Sequence, residues 1–427
     1  MKILLASGSG IYDKRFPETQ KNQSGFGIMI RALADMLTAE NDQVDIITHS
    51  NFSSGRDVGK AKLLPKTLFK LIIHAKPFYV IRALKLWKQK DIGWGTRARI
   101  LLGYLTGSYT EHLLKKKRYD VVHVNGLGAA SNAYMYACAR TNTPFVLTLH
   151  GLISFGSEVK VSLFMKNLER EYFKCIKDNS VAYTTVISTG IKNRLAKVTN
   201  TPLNHVYVVC NPVLNIGSKV ASVYSKQECE KIVVCVGNIS ANKNQKLVVD
   251  AFGKMFRDNK DSKFKLFVIG GQYEELEEYA KTNGYENIVF TGALQRDDVY
   301  GYYSVADLCV MASLEEGFGL SLVEGYSFGV PCVMPVSIDA FPDLYDEECC
   351  ISAQNYEVST FADAMYEALS REWNHDKIRE YAERFSEDKC AHAYLGVLKK
   401  AQDSKSSPIG VSEIDKIVSI SLTQKIK

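Results

Sequence analysis

Several features that define other protein classes are missing from this 427-residue sequence. It has no uninterrupted run of the ~18 apolar residues that a membrane-spanning helix needs, and its start, MKILLASGSG, holds too few apolar side chains for a signal peptide. The ten cysteines include no C-x-x-C pair and lie mostly in apolar runs, so we interpret them as reduced core thiols. We expect a cytoplasmic protein, with peripheral attachment to the inner face of a membrane left open.

A strong excess of charge of one sign is also missing. The 53 basic and 47 acidic residues give a net charge of +6, which over this length does not indicate a nucleic-acid partner. Hydrophobic residues make up 46% and charged residues 23% of the chain, as in ordinary globular proteins, which excludes the collagenous and disordered classes. At roughly 100 to 200 residues per domain, the chain should form two or three domains.

What the sequence does contain is two series of apolar, β-rich runs separated by helix-length segments. Continuous rather than alternating apolarity is typical of strands buried on both faces of a parallel sheet. The first series covers 2–7, 44–49, 120–125, 144–150, 181–188 and 205–209, and the second covers 231–237, 263–271, 287–292, 306–313 and 330–336. We therefore predict an α/β protein with two Rossmann-like, doubly wound domains that face each other across a ligand-binding cleft.

Composition places the domain boundaries. We predict an N-terminal domain over 1–210, a polar linker over 211–230 that is broken by Pro and Gly, and a C-terminal domain over 231–357. The pattern from 358–402 is helical throughout, and 403–427 form a polar tail.

Two predicted strand-to-helix turns suit phosphate binding. Gly25, Phe26 and Gly27 lead into the helical run IMIRALADMLTAE, so their backbone N–H groups lie where a helix N-terminus favours an anion. In the second domain, Asn238 and Lys243 follow the first strand and precede the helical run LVVDAFGKMF, and a lysine beside free backbone donors suits a pyrophosphate. A simple capping turn and an exposed helix lysine are the alternatives.

The segment after the fourth strand of the second series contains three glutamates, of which Glu316 and Glu324 are the candidates for sugar binding. A glycine turn follows Glu316 and a helix begins near Gly319, so Glu324 lies one to two turns into that helix and can point towards the same cleft. Carboxylates accept paired hydrogen bonds from sugar and ribose hydroxyls, while the amides of Phe318 to Leu320 can donate to phosphate.

This E-x7-E spacing, framed by G-F-G and a later G-V-P, resembles the signature of retaining glycosyltransferases of the GT-B fold, specifically glycosyltransferase family 4 and its bacterial capsule, exopolysaccharide and O-antigen enzymes. The similarity extends over nearly the whole chain. The segments that resemble the family are SGFG at the acceptor side, FVLTLHG with its histidine, VIST before the hinge, VGNISANKNQ for phosphate and FTGAL for the nucleobase.

The resemblance implies transfer of a hexose, with retention, from a UDP- or GDP-sugar to a hydroxyl of a glycan or lipid-linked glycan. It assigns the donor ribose to Glu324 and the donor hexose to Glu316 and the amides that follow it. Lys243 would neutralise the pyrophosphate, and His150 would lie beside the transferred sugar. Asn238 stands where many family members have an arginine, so the clamp on the leaving group has one cation fewer.

The resemblance also implies that backbone groups near Gly271 and Ala293 recognise the base. No D-x-D motif occurs in the sequence, so we expect neither a metal nor another cofactor. Two other functions remain open on the same frame. One is a nucleotide-sugar epimerase, which needs no acceptor, and the other is a non-catalytic subunit that binds a sugar nucleotide for a partner transferase.

A basic strip between 60 and 90 contains no acidic residue, and bulky apolar side chains alternate with its cations. This composition is typical of a surface attracted to anionic lipid headgroups, and a solvated helix packed on the N-terminal domain is the alternative. The nine basic residues are Lys60, Lys62, Lys66, Lys70, Lys76, Arg82, Lys85, Lys88 and Lys90.

Overall fold

The described residues of the computed structural model form two compact units. The N-terminal unit comprises Met1–Ile187, Ile191–Cys210 and Glu387–Lys427, and the C-terminal unit comprises Ser188–Gly190 and Asn211–Ser386. The structure describes residues 1–8, 10–13, 15–16, 19, 25–38, 42–48, 54–88, 92–152, 166–170, 172–173, 183–200, 203–214, 220–259, 263–404 and 414.

The N-terminal unit contains an eight-stranded sheet in the order β3-β4-β2-β1-β5-β6-β7-β8. All neighbouring strands are parallel except the β3–β4 pair, and the central strands are buried on both faces, as their continuous apolar sequences predict. The strands are β1 (Lys2–Ser7), β2 (Gln43–Ile47), β3 (Arg56–Val58), β4 (Ala61–Leu63), β5 (Val121–Asn125), β6 (Phe145–Leu149), β7 (Tyr183–Val186) and β8 (Val206–Val208).

Among the described residues, six helices with defined bounds lie between or after these strands. The long fourth helix packs against the second, third and fifth, and so forms one layer beside the sheet. They are α1 (Gly25–Leu37), α2 (Leu68–Ile73), α3 (Pro77–Trp87), α4 (Trp94–Lys117), α5 (Ala129–Thr141) and α6 (Thr189–Thr199). None of the helices in the described ranges combines the length and apolarity that crossing a bilayer requires.

The C-terminal unit contains a six-stranded, fully parallel sheet in the order β11-β10-β9-β12-β13-β14. The strands are β9 (Lys231–Val236), β10 (Phe264–Ile269), β11 (Ile288–Gly292), β12 (Leu308–Val310), β13 (Cys332–Pro335) and β14 (Cys350–Ala353). The chain leaves β9 towards β10 on one side and later returns to β12 on the other, so β9 and β12 flank the switch point at which doubly wound sheets bind ligands.

Helices cover this sheet, and Val233, Val268, Phe252 and Phe361 are part of the core beneath them. The helices are α7 (Gln245–Asp258), α8 (Glu274–Thr282), α9 (Arg296–Tyr303), α10 (Leu320–Ser327), α11 (Phe341–Leu344), α12 (Val358–Ser370) and α13 (His375–Ala382). The predicted α/β fold with two parallel-sheet domains and a helical C-terminal region is therefore confirmed.

The last long helix, α14 (Glu387–Asp403), belongs to the N-terminal unit. Its apolar side chains at Ala391, Tyr394 and Leu398 lie in the same core cluster as Ile3 and Leu5 of β1. The helices predicted over 358–402 are thus divided, because those up to Ser386 belong to the C-terminal unit.

The structure corrects the basic strip in one respect. Lys66 is only 2% exposed, its ammonium lies 3.4 Å from the hydroxyl of Thr106, and burial lowers its pKa to about 7, so the prediction of a surface cation at this position is wrong. Lys76 forms an ion pair of 2.7 Å with Glu111, and the guanidinium of Arg82 lies 3.5 Å from the ring centroid of Phe78. Lys90 lies outside the described residues.

Candidate active site

The loops after β9 and β12 bring together two of the predicted site residues. Because the two strands are parallel neighbours, their carboxyl ends open at the same edge of the sheet. Lys243 lies in the turn before α7, and its ammonium forms an ion pair with the Oε2 atom of Glu316. The lysine predicted for the pyrophosphate and the glutamate predicted for the hexose are therefore in direct contact.

Asn242, the residue before Lys243, joins these two loops. Its Nδ2 donates to the carbonyl of Glu315 at 3.0 Å, and the amide of Glu315 donates back to Oδ1 at 3.1 Å. The amide of Leu314 donates to the carbonyl of Asn242 at 2.8 Å. No sequence pattern predicted that Asn242 joins the two loops, and the adjacent lysine was the only signal.

Gln245 forms hydrogen bonds with the backbone of the loop after β9. This buried side chain donates from Nε2 to the carbonyls of Gly237 and Asn238, both at 3.1 Å, and its Oε1 accepts from the amide of Ser240 at 3.3 Å. Asn238 itself is exposed. Gln245 thus holds the backbone of the loop that carries Asn238, and it is a second positioning residue that no sequence pattern predicted.

The turn from Glu316 into α10 depends on glycine. Gly319 has φ of 83°, in the left-handed region that favours glycine, and a Cβ there would lie 3.2 Å from Leu344 Cδ1. Phe318 is 2% exposed and contacts Phe385 edge-on, so its side chain anchors the turn in the core. Leu320 begins α10, so the backbone N–H groups of this turn lie at a helix N-terminus, where they can donate hydrogen bonds to an anion.

Glu324 lies within α10 and faces a cation that the sequence analysis missed. Its Oε1 is 2.6 Å from Nη2 of Arg296, the first residue of α9. The Nε of Arg296 donates to the hydroxyl of Tyr300, which donates to the carbonyl of Leu214 at 3.2 Å. Burial raises the pKa of the Glu324 carboxyl, although the guanidinium of Arg296 acts to lower it. An arginine two residues after the FTGAL segment was the available signal.

The two positions predicted to contact the base lie side by side. A Cβ built on Gly271 would lie 3.7 Å from the Cβ of Ala293 and 3.9 Å from Oδ1 of Asn238. The amide of Ile239 donates to the carbonyl of Gly271 at 3.1 Å. The loops after β9, β10 and β11 therefore converge at one edge of the C-terminal sheet.

The remaining predicted residues lie in the N-terminal unit. His150 directly follows β6, with its Nε2 3.4 Å from Oδ1 of Asn125 at the end of β5. Burial lowers the pKa of His150 to about 4, so its imidazole is neutral at physiological pH. A neutral imidazole here can offer a hydrogen bond but not a positive charge.

The glycine-rich segment forms the first turn of α1 rather than a loop before it. The helix begins at Gly25 and includes Phe26 and Gly27, and the carbonyl of Gly27 accepts from the amide of Tyr12 at 3.2 Å. Ser24 lies outside the described residues. The amides of this turn remain at a helix N-terminus, as the sequence predicts.

Within the described part of the chain, no group of three or more His, Cys, Asp or Glu side chains is arranged to hold a metal ion. The charged side chains of the candidate site are one lysine after β9, one arginine after β11 and two glutamates after β12, joined in two ion pairs. Such a set can neutralise a diphosphate and accept hydrogen bonds from hydroxyls.

Two doubly wound α/β units, with these groups at the switch point of the second, define the class of GT-B glycosyltransferases. Family models agree along the chain, since residues 23–213 match Glycosyltransferase Family 4 and residues 230–371 match glycosyl transferases group 1. The chain is therefore a GT-B glycosyltransferase of the family 4 type.

Similar proteins cover the chain to different extents. Mannosylfructose-phosphate synthase of Agrobacterium fabrum is 29% identical over 115 residues, which are 25% of this chain and 25% of that enzyme. An uncharacterized glycosyltransferase of Methanocaldococcus jannaschii is 22% identical over 323 residues, 71% of this chain and 82% of its own. The crystal structure of a glycosyltransferase from Rickettsia africae covers 94% of this chain and 98% of its own, with a TM-score of 0.63 and 13% identity, which shows a common fold.

Proposed function

We propose that the protein transfers a hexose from a nucleoside-diphosphate sugar to a hydroxyl of a glycan acceptor, with retention at the anomeric carbon, in polysaccharide biosynthesis. The observation that carries the proposal is the contact between Lys243 and Glu316 at the switch point of the C-terminal sheet. One is a cation suited to a departing diphosphate, and the other is a carboxylate suited to hexose hydroxyls.

In the proposed reaction, the hydroxyl oxygen of the acceptor bonds to the anomeric carbon on the face from which the diphosphate departs. The bond between the anomeric carbon and the phosphate oxygen breaks, its electron pair leaves with the diphosphate, and the hydroxyl proton passes to the departing phosphate oxygen. Lys243 and the amides at the start of α10 stabilise the negative charge that develops there. Glu316 fixes the hexose, Glu324 fixes the ribose, and His150 contributes a neutral imidazole. The same groups lead us to propose that no metal is required.

Donor turnover with and without acceptors separates this proposal from its two rivals. The protein is incubated with UDP- and GDP-hexoses, alone and with glycan acceptors, and the products are resolved by NMR. Glycoside formed only with an acceptor, with the donor's anomeric configuration and in excess EDTA, supports the proposal. A changed sugar nucleotide without acceptor indicates an epimerase, and binding without turnover indicates a non-catalytic subunit.

We also propose that the protein attaches peripherally to anionic membranes on their cytoplasmic side. Seven cations of the basic strip are exposed or half-exposed, and five of them remain besides Lys76, which pairs with Glu111, and Arg82, which lies over Phe78, namely Lys60, Lys62, Lys70, Lys85 and Lys88. Each cation near an anionic surface contributes ~1 kcal/mol, an attraction that salt screens. Replacing Lys62, Lys70 and Lys85 by Glu should abolish low-salt co-sedimentation with anionic vesicles, and equal binding of parent and variant would contradict the proposal.

A further inference from the structure

The exposed apolar side chains of the described residues are concentrated in one segment. Seven of the twelve large hydrophobic side chains that these residues expose lie between 68 and 94, which makes this segment the main source of exposed apolar surface in the described chain. We call the seven the apolar ridge: Leu68, Phe69, Ile72, Ile73, Ile81, Leu84 and Trp94.

Both α2 and α3 pack against α4, and each exposes apolar side chains. Leu68 and Ile72, and likewise Phe69 and Ile73, are four residues apart and therefore neighbours on the surface of α2, whereas Leu71 is buried. The face is strongly exposed, since Phe69 retains 72% of its accessible surface. A helix that packed only as a solvated surface element would show the reverse arrangement, with polar residues outward.

Helix α3 and the start of α4 extend the same pattern. Ile81 and Leu84 share the outer face of α3 with the cations Lys85 and Lys88. Trp94 opens α4 with 74% of its surface exposed, and its ring contacts Trp87 edge-on at 6.0 Å between centroids. Apolar side chains and cations therefore share the exposed face of α3, and Trp94 lies beside its C-terminal end.

We infer that the apolar ridge inserts into the interface of an anionic lipid bilayer, which deepens the membrane attachment proposed above and rests on it. A bilayer of this kind offers hydrocarbon to the ridge and negative headgroups to the flanking lysines. A second copy of the chain fits less well, because a symmetric contact would place identical cations against one another and the segment from 60 to 90 has no acidic residue to pair with them.

Insertion can be measured through Trp94, because the chain has only three tryptophans. In a variant with Trp87→Phe and Trp373→Phe, Trp94 is the only indole, and vesicles of phosphatidylglycerol with dibrominated phosphatidylcholine can quench it. We expect quenching and a blue shift that persist at about 0.5 M salt, where the surface attraction is screened within ~4 Å. The full-length protein is used throughout, and nucleotide binding verifies that each variant is folded.

The ridge itself is tested by Phe69→Ser combined with Ile72→Ser, which should lower high-salt vesicle partitioning at least tenfold. Val198→Ser is the matched control, because Val198 is also an exposed apolar residue on a helix of the chain, outside the ridge. Co-sedimentation at low salt without quenching of Trp94 would overturn insertion while the electrostatic attachment stands. A dimer that dissociates on Phe69→Ser, with no quenching, would overturn it in favour of self-association.

Discussion

At the scale of single residues, the two glutamates of the candidate site each contact one cation. Lys243 compensates Glu316, and Arg296 compensates Glu324. Both carboxylates are mostly buried, with 15% and 13% of the side chain exposed, so neither could remain charged there at low cost without its partner. In the proposed reaction, the donor competes for these contacts, its diphosphate for Lys243 and its hydroxyls for the glutamates.

Lys243→Ala should lower kcat by about 10² to 10³, because negative charge on the leaving diphosphate is greatest in the transition state. Steady-state kinetics with saturating donor measure the effect. Lys246→Ala is the control, since Lys246 lies in the next turn and pairs with Asp250 at 2.8 Å. A variant in which only KM rises would show that Lys243 binds ground state and transition state equally.

Arg296 should affect nucleotide affinity indirectly, by positioning the carboxylate of Glu324. Arg296→Ala and Glu324→Ala should each weaken nucleotide affinity about tenfold or more, because a charge-assisted contact is worth ~1.5 to 3 kcal/mol. Since the two side chains form one pair, the double variant should cost less than the sum, with a coupling of about 1 kcal/mol or more by calorimetry. Lys377→Ala removes an exposed ion pair with Glu348 and should change nothing. Additive effects would contradict a positioning role for Arg296.

At the scale of secondary-structure elements, Asn242 joins the ends of two neighbouring strands. Asn242→Ala should lower kcat/KM about tenfold, because the loops after β9 and β12 lose two hydrogen bonds that align Lys243 with Glu316. Asn242→Asp keeps the acceptor for the amide of Glu315 and should recover part of the loss. Asn259→Ala removes a similar bond, to the carbonyl of Met255, away from the site. Equal loss of stability and activity in both alanine variants would argue for a purely structural role.

Three elements of the N-terminal unit meet at Glu111 in α4. This fully buried carboxylate pairs with Lys76 before α3, with Lys115 in α4 and with Arg140 in α5. Despite burial, which raises it, the pKa of Glu111 falls to about 2 because these cations donate to the charged form. The group therefore stabilises the fold above its ordinary pKa of 4.5, and this contribution is lost as pH falls towards 2.

Glu111→Gln should consequently lower the free energy of unfolding by about 2 kcal/mol at neutral pH. It should also weaken the decrease of that free energy as the pH becomes acidic. Urea unfolding at a series of pH values between 7 and 3 measures both effects. The expected signature is a difference between parent and variant that shrinks as the pH drops below 4.5, the ordinary value for the group. A difference that stays constant with pH would mean that packing, not charge, accounts for it.

At the scale of the whole molecule, sequence patterns predict what depends on local composition. Strands such as β9 and β10 could be recognised because burial on both faces requires continuous apolar runs. By contrast, the short strands β3 (RDV), β4 (AKL) and β14 (CISA) each contain a charged or polar residue and form no such run, so the same pattern does not reveal them. Likewise, alternation of cations and apolar residues cannot show that Lys66 turns inward, because only the tertiary packing of α4 decides it.

The residues of the candidate site also fall into those that a sequence pattern predicts and those that it does not. Lys243, Glu316 and Glu324 could be proposed from their motif, since their side chains carry the chemistry. Asn242 and Gln245 act through backbone groups that are distant in sequence or hidden in a turn, so no local pattern reveals them. The destination of a helix is equally hidden, because an apolar stripe shows that a helix is buried but not against which unit.

The return of α14 to the N-terminal unit leads to a prediction for the whole chain. Leu398 is fully buried in the N-terminal core, so Leu398→Ala should destabilise the protein by about 2 to 5 kcal/mol and lower the thermal midpoint. Nucleotide affinity should stay unchanged, because the residues assigned to the nucleotide lie in the other unit. Lys399→Ala, on the exposed side of the same helix, should leave both measurements unaltered. Loss of nucleotide binding in the folded Leu398→Ala protein would contradict this prediction. It would show that the nucleotide site of the C-terminal unit depends on α14.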